Sequence, residues 1–456
     1  MSASEDADVL ASLLGNLPTG VDGDARLVRS GHTTVRFANS RVRQPMHEEH
    51  RVISLRLAVG GRIATATSGA TSPKGLHELV AEALSLARVA PVEARFPGFA
   101  GRPEQPLRAT AFSRATSTLS PERASRLAHA ALDAADADAP GSRVAGAIHV
   151  GGTHLSVATT AGLELASRWS SVVGSVLAER LDGEVPASGW AEGAHFDVAR
   201  FDPARLGREA AQKVAATPPR PARPGRYRVV LSGSAVSELL GTLGYLGFGG
   251  HAEEQGWSCL AKRRGRRVVA SNVSVTDDAT SRHGIPVAID FEGHPKRPTP
   301  LLVEGVAAGP VTDLLTAARL GSSPTGHALP PESPWGELGP VPTHPVMAAG
   351  DASWEELVRE TRRGILVTRF HYVRVVHPGR SEITGMTRDG TYRIDGGEVT
   401  EPLTNLRFTQ SILATLGATT LVGRVRRCFS DERGVFSATC PAIATTGFRF
   451  TSATVF

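Results

Sequence analysis

Four consecutive residues, His47-Glu48-Glu49-His50, set two imidazoles beside two carboxylates, the donor types that hold a divalent metal and activate water on it. They fall in a stretch patterned as strand, where residues three apart point to opposite faces. The two imidazoles can reach one ion only if the strand breaks there, so an exposed turn is the simpler reading. A second pair, His371 and His377, lies in Thr368-Arg369-Phe370-His371-Tyr372-Val373-Arg374-Val375-Val376-His377. Their even spacing puts them on one face of a strand, but at about 3.3 Å per residue they stand about 20 Å apart. They cannot share a metal, and His371 either lines a groove or caps the core. The densest positive charge, Lys262-Arg263-Arg264-Gly265-Arg266-Arg267, has no interleaved aromatics and no nucleic-acid-binding signature around it. With a net charge of only +5 on 456 residues, it reads as a solvated turn, and no nucleic-acid partner is expected.

The elements that must position these groups are mostly strands and turns. Gly (48) and Pro (30) are enriched, at about 17% together against about 12% in average usage, which argues against a helical bundle. The hydrophobic content of 41% is ample for a core. Three cysteines cannot form a disulfide framework and suit a reducing cytosol. No stretch approaches the ~20 apolar residues that span a bilayer, and the acidic N-terminus lacks a secretion signal, so no membrane association and a cytoplasmic location are expected. Helices are predicted over 6–14, from Ser72-Pro73 to about 87, from Ser120-Pro121 to about 135, from Asp202-Pro203 to about 216, over 234–246, and over 354–361. Strands are predicted over 33–38, 52–59 and 63–67, then over 142–151, 154–160 and 163–178 with glycine turns between them. Four prolines within 217–225 can continue neither a helix nor a central strand. The fold class is therefore α+β: a mixed α/β N-terminal domain (1–222) followed by a largely antiparallel β C-terminal domain (226–456), with the apolar helix 234–246 just inside it.

From the strand-helix unit at 228–250 onward the chain resembles the TldD/PmbA family. Thr325-Gly326-His327-Ala328, Gly364-Ile365-Leu366-Val367-Thr368, Ile383-Thr384-Gly385-Met386-Thr387-Arg388-Asp389-Gly390, Tyr392-Arg393-Ile394-Asp395-Gly396-Gly397-Glu398-Val399 and 402–408 follow the family's pattern in order. The meander ending in Gly60-Gly61-Arg62-Ile63-Ala64-Thr65-Ala66-Thr67 also fits, so the likeness runs from about Val35 to the end. The resemblance implies a zinc metalloprotease built from TldD and TldE subunits. In the TldD type a helix carries His-Glu-x-x-x-His, and a cysteine near the C-terminus is the third ligand. Aligned on Gly256-Trp257-Ser258, the two His positions hold Gly241 and Leu246 and the Glu position holds Thr242. Cys440 could correspond to the third ligand, but one thiolate without imidazoles does not hold zinc.

The resemblance thus implies a TldE-like subunit with no catalytic residue and no metal of its own. Zinc is expected in a TldD-like partner, and extended peptides or small peptide-like conjugates are the expected substrate. The 365–376 strand is the expected substrate edge; its Val367, His371, Tyr372 and Val373, with His327 of the Thr325-Gly326-His327-Ala328 loop, are the candidate contacts. The glycines at 247–250 are expected at a subunit interface. A metal-free homodimeric peptide-binding protein is the alternative, and an independent enzyme using His327, His371 or Cys440 is a third reading.

Overall fold

The computed structural model describes residues 3–104, 107, 111–181, 187–214, 217–331 and 336–454. Helix α1 (Ala3–Gly15) leads into three antiparallel strands, β1 (Asp22–Ala38), β2 (Arg41–Val59) and β3 (Arg62–Ser68). Asn39 and Ser40 join β1 to β2 with φ of 52° and 57°, the two-residue turn whose twist suits a hairpin. Helices α2 (Pro73–Val89), α3 (Arg114–Ser117) and α4 (Pro121–Asp138) follow. Ser72 and Ser120 cap α2 and α4 by accepting from the backbone N–H three residues on, with proline in the first turn, as their types predict. Strands β4 (Arg143–Thr159), β5 (Glu164–Arg180) and β6 (Ala187–His195) complete a fully antiparallel sheet of order β3-β2-β1-β4-β5-β6. Helix α5 (Pro203–Gln212), capped by Asp202, comes next.

Two expectations are corrected in this sheet. Residues 47–50 are not a turn but part of β2, because the hairpin runs on past its apolar half with mostly polar residues. Residues 142–151 and 154–160 form one strand, β4, with no turn between them. Gly151 serves close approach there: a Cβ would sit 2.7 Å from the Cα of His32 on the paired strand. One face of the sheet carries the helices. Leu10, Leu13, Leu76 and Leu79 pack on Leu27 and Ile53, while α4 and α5 cover Val35, Ile148 and Val172. The other face, through Leu155, Val157 and Trp169, meets Ile285, Val287 and Ile289 of the C-terminal half.

That half begins with β7 (Gly225–Leu231) and α6 (Gly233–Leu243), which runs on into a π-helical turn at Gly244–Phe248. Then come α7 (Gly250–Glu254), β8 (Val275–Asp277), β9 (Thr299–Val303), β10 (Val306–Ala307), α8 (Leu314–Leu320), β11 (Pro345–Met347) and α9 (Trp354–Thr361). The long strands follow: β12 (Gly364–His377), β13 (Glu382–Asp395), β14 (Glu398–Pro402) and β15 (Leu406–Ser411). Helix α10 (Ile412–Gly417) and strands β16 (Thr419–Ser430) and β17 (Ser437–Ala453) end the described chain. The fold is α+β, with the second sheet largely antiparallel as expected; among the named strands of the described residues, only β7–β12 and β11–β17 pair in parallel. Helices α7, α8 and α10, at 5, 7 and 6 residues, are too short for an apolar period to reveal.

The pairings β7–β12, β12–β13, β13–β15, β15–β17 and β17–β7 close into a five-strand ring. Phe370, Phe408 and Phe448 fill it, with ring centroids 4.6–5.8 Å apart, and Phe450 lies 5.1 Å from Phe448. Gly247, Gly249 and Gly250 are buried inside this domain and do not present an interface loop. A Cβ on Gly250 would meet the Thr316 Cγ2 at 2.7 Å. Replacing Phe408 with Ala removes the ring that touches both Phe370 and Phe448, and is expected to lower unfolding stability by about 3–5 kcal/mol. Urea denaturation of the two proteins measures it; a change below ~1 kcal/mol would show that the ring does not depend on this aromatic cluster.

Candidate functional site

Helix α6 leaves the end of β7 inside the ring's own hydrogen bonding: the Ser232 backbone N–H donates to Val367 O at 3.0 Å. Val236, Leu239, Leu240 and Leu243 anchor one side of it in the core. Gly241 faces open space, whereas Thr242 and Leu246 are buried, Leu246 among Leu243, Phe248 and Leu260. The positions matching the zinc motif therefore face different surroundings. Glu238, the only carboxylate of the segment, is on the exposed side.

Cys440 lies at the other end of this helix, its thiol 3.1 Å from Gly233 O. Burial holds that thiol well above its usual pKa, so it is kept protonated, whereas zinc takes a thiolate. It opens onto a cavity of about 570 Å³ between the two sheets. β6, α5 and Lys213 wall one side; the start of α6, β12, β13 and the β16–β17 hairpin wall the other. No histidine is among the described residues that line it. Contacts across the sheets hold it open. Arg427 Nη1 meets Glu209 Oε2 at 2.6 Å, Ser234 Oγ donates to Glu192 Oε1, and Ser188 Oγ donates to Asp389 Oδ1 at 2.7 Å. Arg369, paired with Asp389, lies over the Trp190 ring at 3.9 Å.

The other predicted contacts do not gather. Val367 is fully buried, paired to Leu231 on one side and Thr391 on the other; it belongs to the ring's core and not to a substrate edge, so a charge there would test folding. Beyond Thr368, β12 loses β7 and pairs only with β13, through register shifts around His371–Arg374. His371 and Val373 are half-buried there, and Tyr372 is 63% exposed with φ of 55°. His327 is sealed instead of lining a channel. Its Nε2 lies 3.1 Å from Asp277 Oδ1, and its Nδ1 is 2.9 Å from Thr325 Oγ1. Asp277 Oδ2 accepts from the His344 backbone N–H at 2.7 Å, and buried Lys296 donates to Thr343 Oγ1 at 2.7 Å. Burial, then Lys296, pushes His327 down, and burial pushes Lys296 down as well. Burial alone would raise Asp277, but these neighbours hold it below the carboxylate range.

Among the described residues one trio could present ligands to a cation: Asp290, Glu292 and His294, with donor atoms within 4.8 Å of one another. Its oxygens are already engaged. Asp290 accepts from the backbone N–H groups of Glu292, His294 and Ala328 at 2.8–2.9 Å. Glu292 meets Arg56 at 2.7 Å and the Leu314 N–H at 2.8 Å. Arg56 also binds Asp24, which makes the group a buried clasp between β1–β2 and the second half of the chain. Burial opposes charge on Arg56, but the two carboxylates outweigh it and raise its pKa. The sequence reading missed both this clasp and the cavity wall of Trp190, Glu192 and Lys213. The alternation Asp290-x-Glu292-x-His294 was a legible signal for the first; nothing local distinguishes Lys213.

Residues 224–452 match the PmbA/TldA metallopeptidase C-terminal domain, and residues 23–87 match PmbA/TldA metallopeptidase domain 1. The chain is 27% identical over 229 residues to a metalloprotease of Methanothermobacter thermautotrophicus, covering 46% of this chain and 45% of that protein. It is 27% identical over 154 residues to a metalloprotease TldD homolog of Haemophilus influenzae, covering 32% and 30%. The match thus spans less than half the length of these curated relatives. TldE from Thermococcus kodakarensis has the same fold, with a TM-score of 0.85 at 16% identity over 99% of this chain and 100% of that one. A candidate modulator of DNA gyrase from Thermotoga maritima gives 0.83 at 19% identity, again over 99% and 100%.

The buried histidines predict acid lability. Burial, then Lys296, pushes His344 from 6.5 down to about 3. Because the folded pKa is depressed, the unfolded chain takes up the proton first as pH falls below 6.5, and stability declines until about pH 3. At pH 5 this one group costs about 2 kcal/mol relative to pH 7. Urea midpoints of the protein and of His344→Gln between pH 7 and 5 check it: the variant's pH slope is expected to be shallower, and identical slopes would refute the assignment.

Proposed function

Because the chain belongs to the PmbA/TldD metallopeptidase family, we propose that it is the non-catalytic, TldE-type subunit of a two-chain zinc metallopeptidase that trims extended peptides or small peptide-like conjugates. A TldD-type partner supplies His-Glu-x-x-x-His, the zinc and the activated water. The observation that carries this reading is the state of α6 and the π-helical turn after it: Gly241, Thr242 and Leu246 stand where the family resemblance puts two ligands and a general base. None of the three can ligate zinc as an imidazole does or accept a proton from water, and Leu246 contributes to the core. The TM-score of 0.85 to a TldE supports the fold that such a subunit needs. The one-sided stretch of β12 beyond Thr368 suits a peptide that adds as a strand, with backbone hydrogen bonds giving affinity at little cost in sequence choice. The three thiols are free and buried, which suits a reducing compartment such as the cytoplasm. No helix among the described residues is long and apolar enough to cross a membrane.

Purified alone, the chain is expected to hold far less than one zinc per chain and to show no chelator-sensitive peptidase activity. Co-expressed with a family member that carries the motif, it is expected to co-purify with it, and peptidase activity is expected to require both chains. Elemental analysis, size-exclusion chromatography and a peptide-cleavage assay test this. One tightly held zinc on the isolated chain, or full activity of the partner without it, would overturn the proposal.

A further inference from the structure

We propose that the cavity between the two sheets binds a small organic acid with an apolar body, its carboxylate held by Lys213 and its body by the Trp354, Val399 and Val425 rim. The inference stands on this chain alone and does not rest on the subunit assignment. The cavity's volume of about 570 Å³ falls within the range of about 300–1,000 Å³ of small-molecule sites. Three of the large apolar side chains most exposed to solvent, Trp354, Val399 and Val425, all line it. An exposed valine or tryptophan by itself is ordinary, whereas three gathered around one opening make a surface that an apolar ligand would cover.

The wall opposite supplies the polar contact. Lys213 Nζ donates to Trp190 O at 2.7 Å and has no carboxylate within ion-pair distance among the described residues. The two acids nearby are engaged elsewhere, Glu209 with Arg427 and Glu192 with Ser234. Two of the three ammonium protons are left for an incoming acceptor. Trp190, beside it, has a buried indole N–H with no acceptor, a group whose desolvation goes uncompensated. The first turn of α6 lines the same space without a side-chain cap, because Ser232 and Ser234 are turned to Thr368 O and Glu192, and its partial positive charge favours an anion. Lys213 and the uncapped start of α6 thus line one space beneath an apolar rim, and a carboxylate on an apolar stem suits both.

Charge on Lys213 gives the proposal a signature. Burial pushes the amine down to about 8; Glu209 of α5 and Glu192 of β6 pull it up, and Arg427 of β16 pushes it further down. Affinity for an acid is therefore expected to fall as pH rises through about 8, where an unburied lysine would keep its proton to about 10.4.

Calorimetric titration of the full chain with leucyl-leucine, leucyl-leucine amide and hexanoate tests this directly. The dipeptide acid is expected to bind about tenfold or more tightly than its amide, and its affinity to decline between pH 7 and 9. Lys213→Met is expected to remove that preference for the acid. Val425→Asp, at a solvent-exposed position where the fold is not at risk, is expected to weaken the acid several-fold with an unchanged melting temperature. Binding of hexanoate as well assigns the cavity to apolar carboxylates in general; binding of the dipeptide alone assigns it to peptide C-termini. Equal affinity for acid and amide, affinity untouched by Val425→Asp, or no heat from either acid at millimolar concentration would overturn the proposal.

Discussion

The closed ring of β7, β12, β13, β15 and β17 is the constraint from which the rest of the C-terminal half follows. Closing a sheet on itself removes its edges and encloses a volume that side chains must fill. Here aromatic rings fill it, with Phe370, Phe408 and Phe448 packed against one another. Because β7 is held by β12 on one side and β17 on the other, the start of α6 has no freedom of direction. Everything α6 presents is set by that exit: Gly233 beside Cys440, Leu239 and Leu243 in the core, and Gly241 in open space.

The two sheets meet through polar contacts as well as apolar ones. A buried ion pair such as Arg56–Glu292 is weak evidence of net stability, since desolvation offsets much of its attraction. Its consequence is better described as registration: with Asp24, Asp290 and backbone N–H groups around it, it admits one relative placement of the sheets. Leu155, Val157 and Trp169 supply the apolar part of the same contact. At the far side the sheets do not close fully, and Arg427–Glu209 and the Arg369–Trp190 stack bridge a gap. The cavity is therefore a product of how the domains are held, and its walls come from segments about 200 residues apart in the chain.

Membership of a metallopeptidase family does not by itself make a chain a hydrolase, because function lives in the site and not in the fold. In this chain the segment from α6 through residue 250 is built into the core. Leu246 serves the core, the glycines at 247–250 let neighbouring segments approach, and the thiol of Cys440 is protonated and turned to a backbone carbonyl. Imidazoles placed at these positions would set a polar ring in an apolar core at 246 and leave the one at 241 facing open space.

Some features were settled by local chemistry and were legible in the residues alone. The Ser72-Pro73, Ser120-Pro121 and Asp202-Pro203 helix starts depend on hydrogen bonds within four residues. The absence of His around 241–246 is a matter of composition, and the ordered series of segments identified the family before any geometry. Where contacts are distant in sequence, local pattern misled. Gly151 read as a turn but answers to a neighbouring strand; Val367 read as an edge but has strands on both sides; His327 read as a substrate contact but is sealed against Asp277, 50 residues away. The cavity had no local sign, and the Asp290-x-Glu292-x-His294 alternation marked one half of the clasp without its Arg56 partner, since each joins residues whose meeting is decided by how the two halves pack. Sequence patterns report what a residue does to its near neighbours, while burial and charge pairing across domains exist only once the chain has closed on itself.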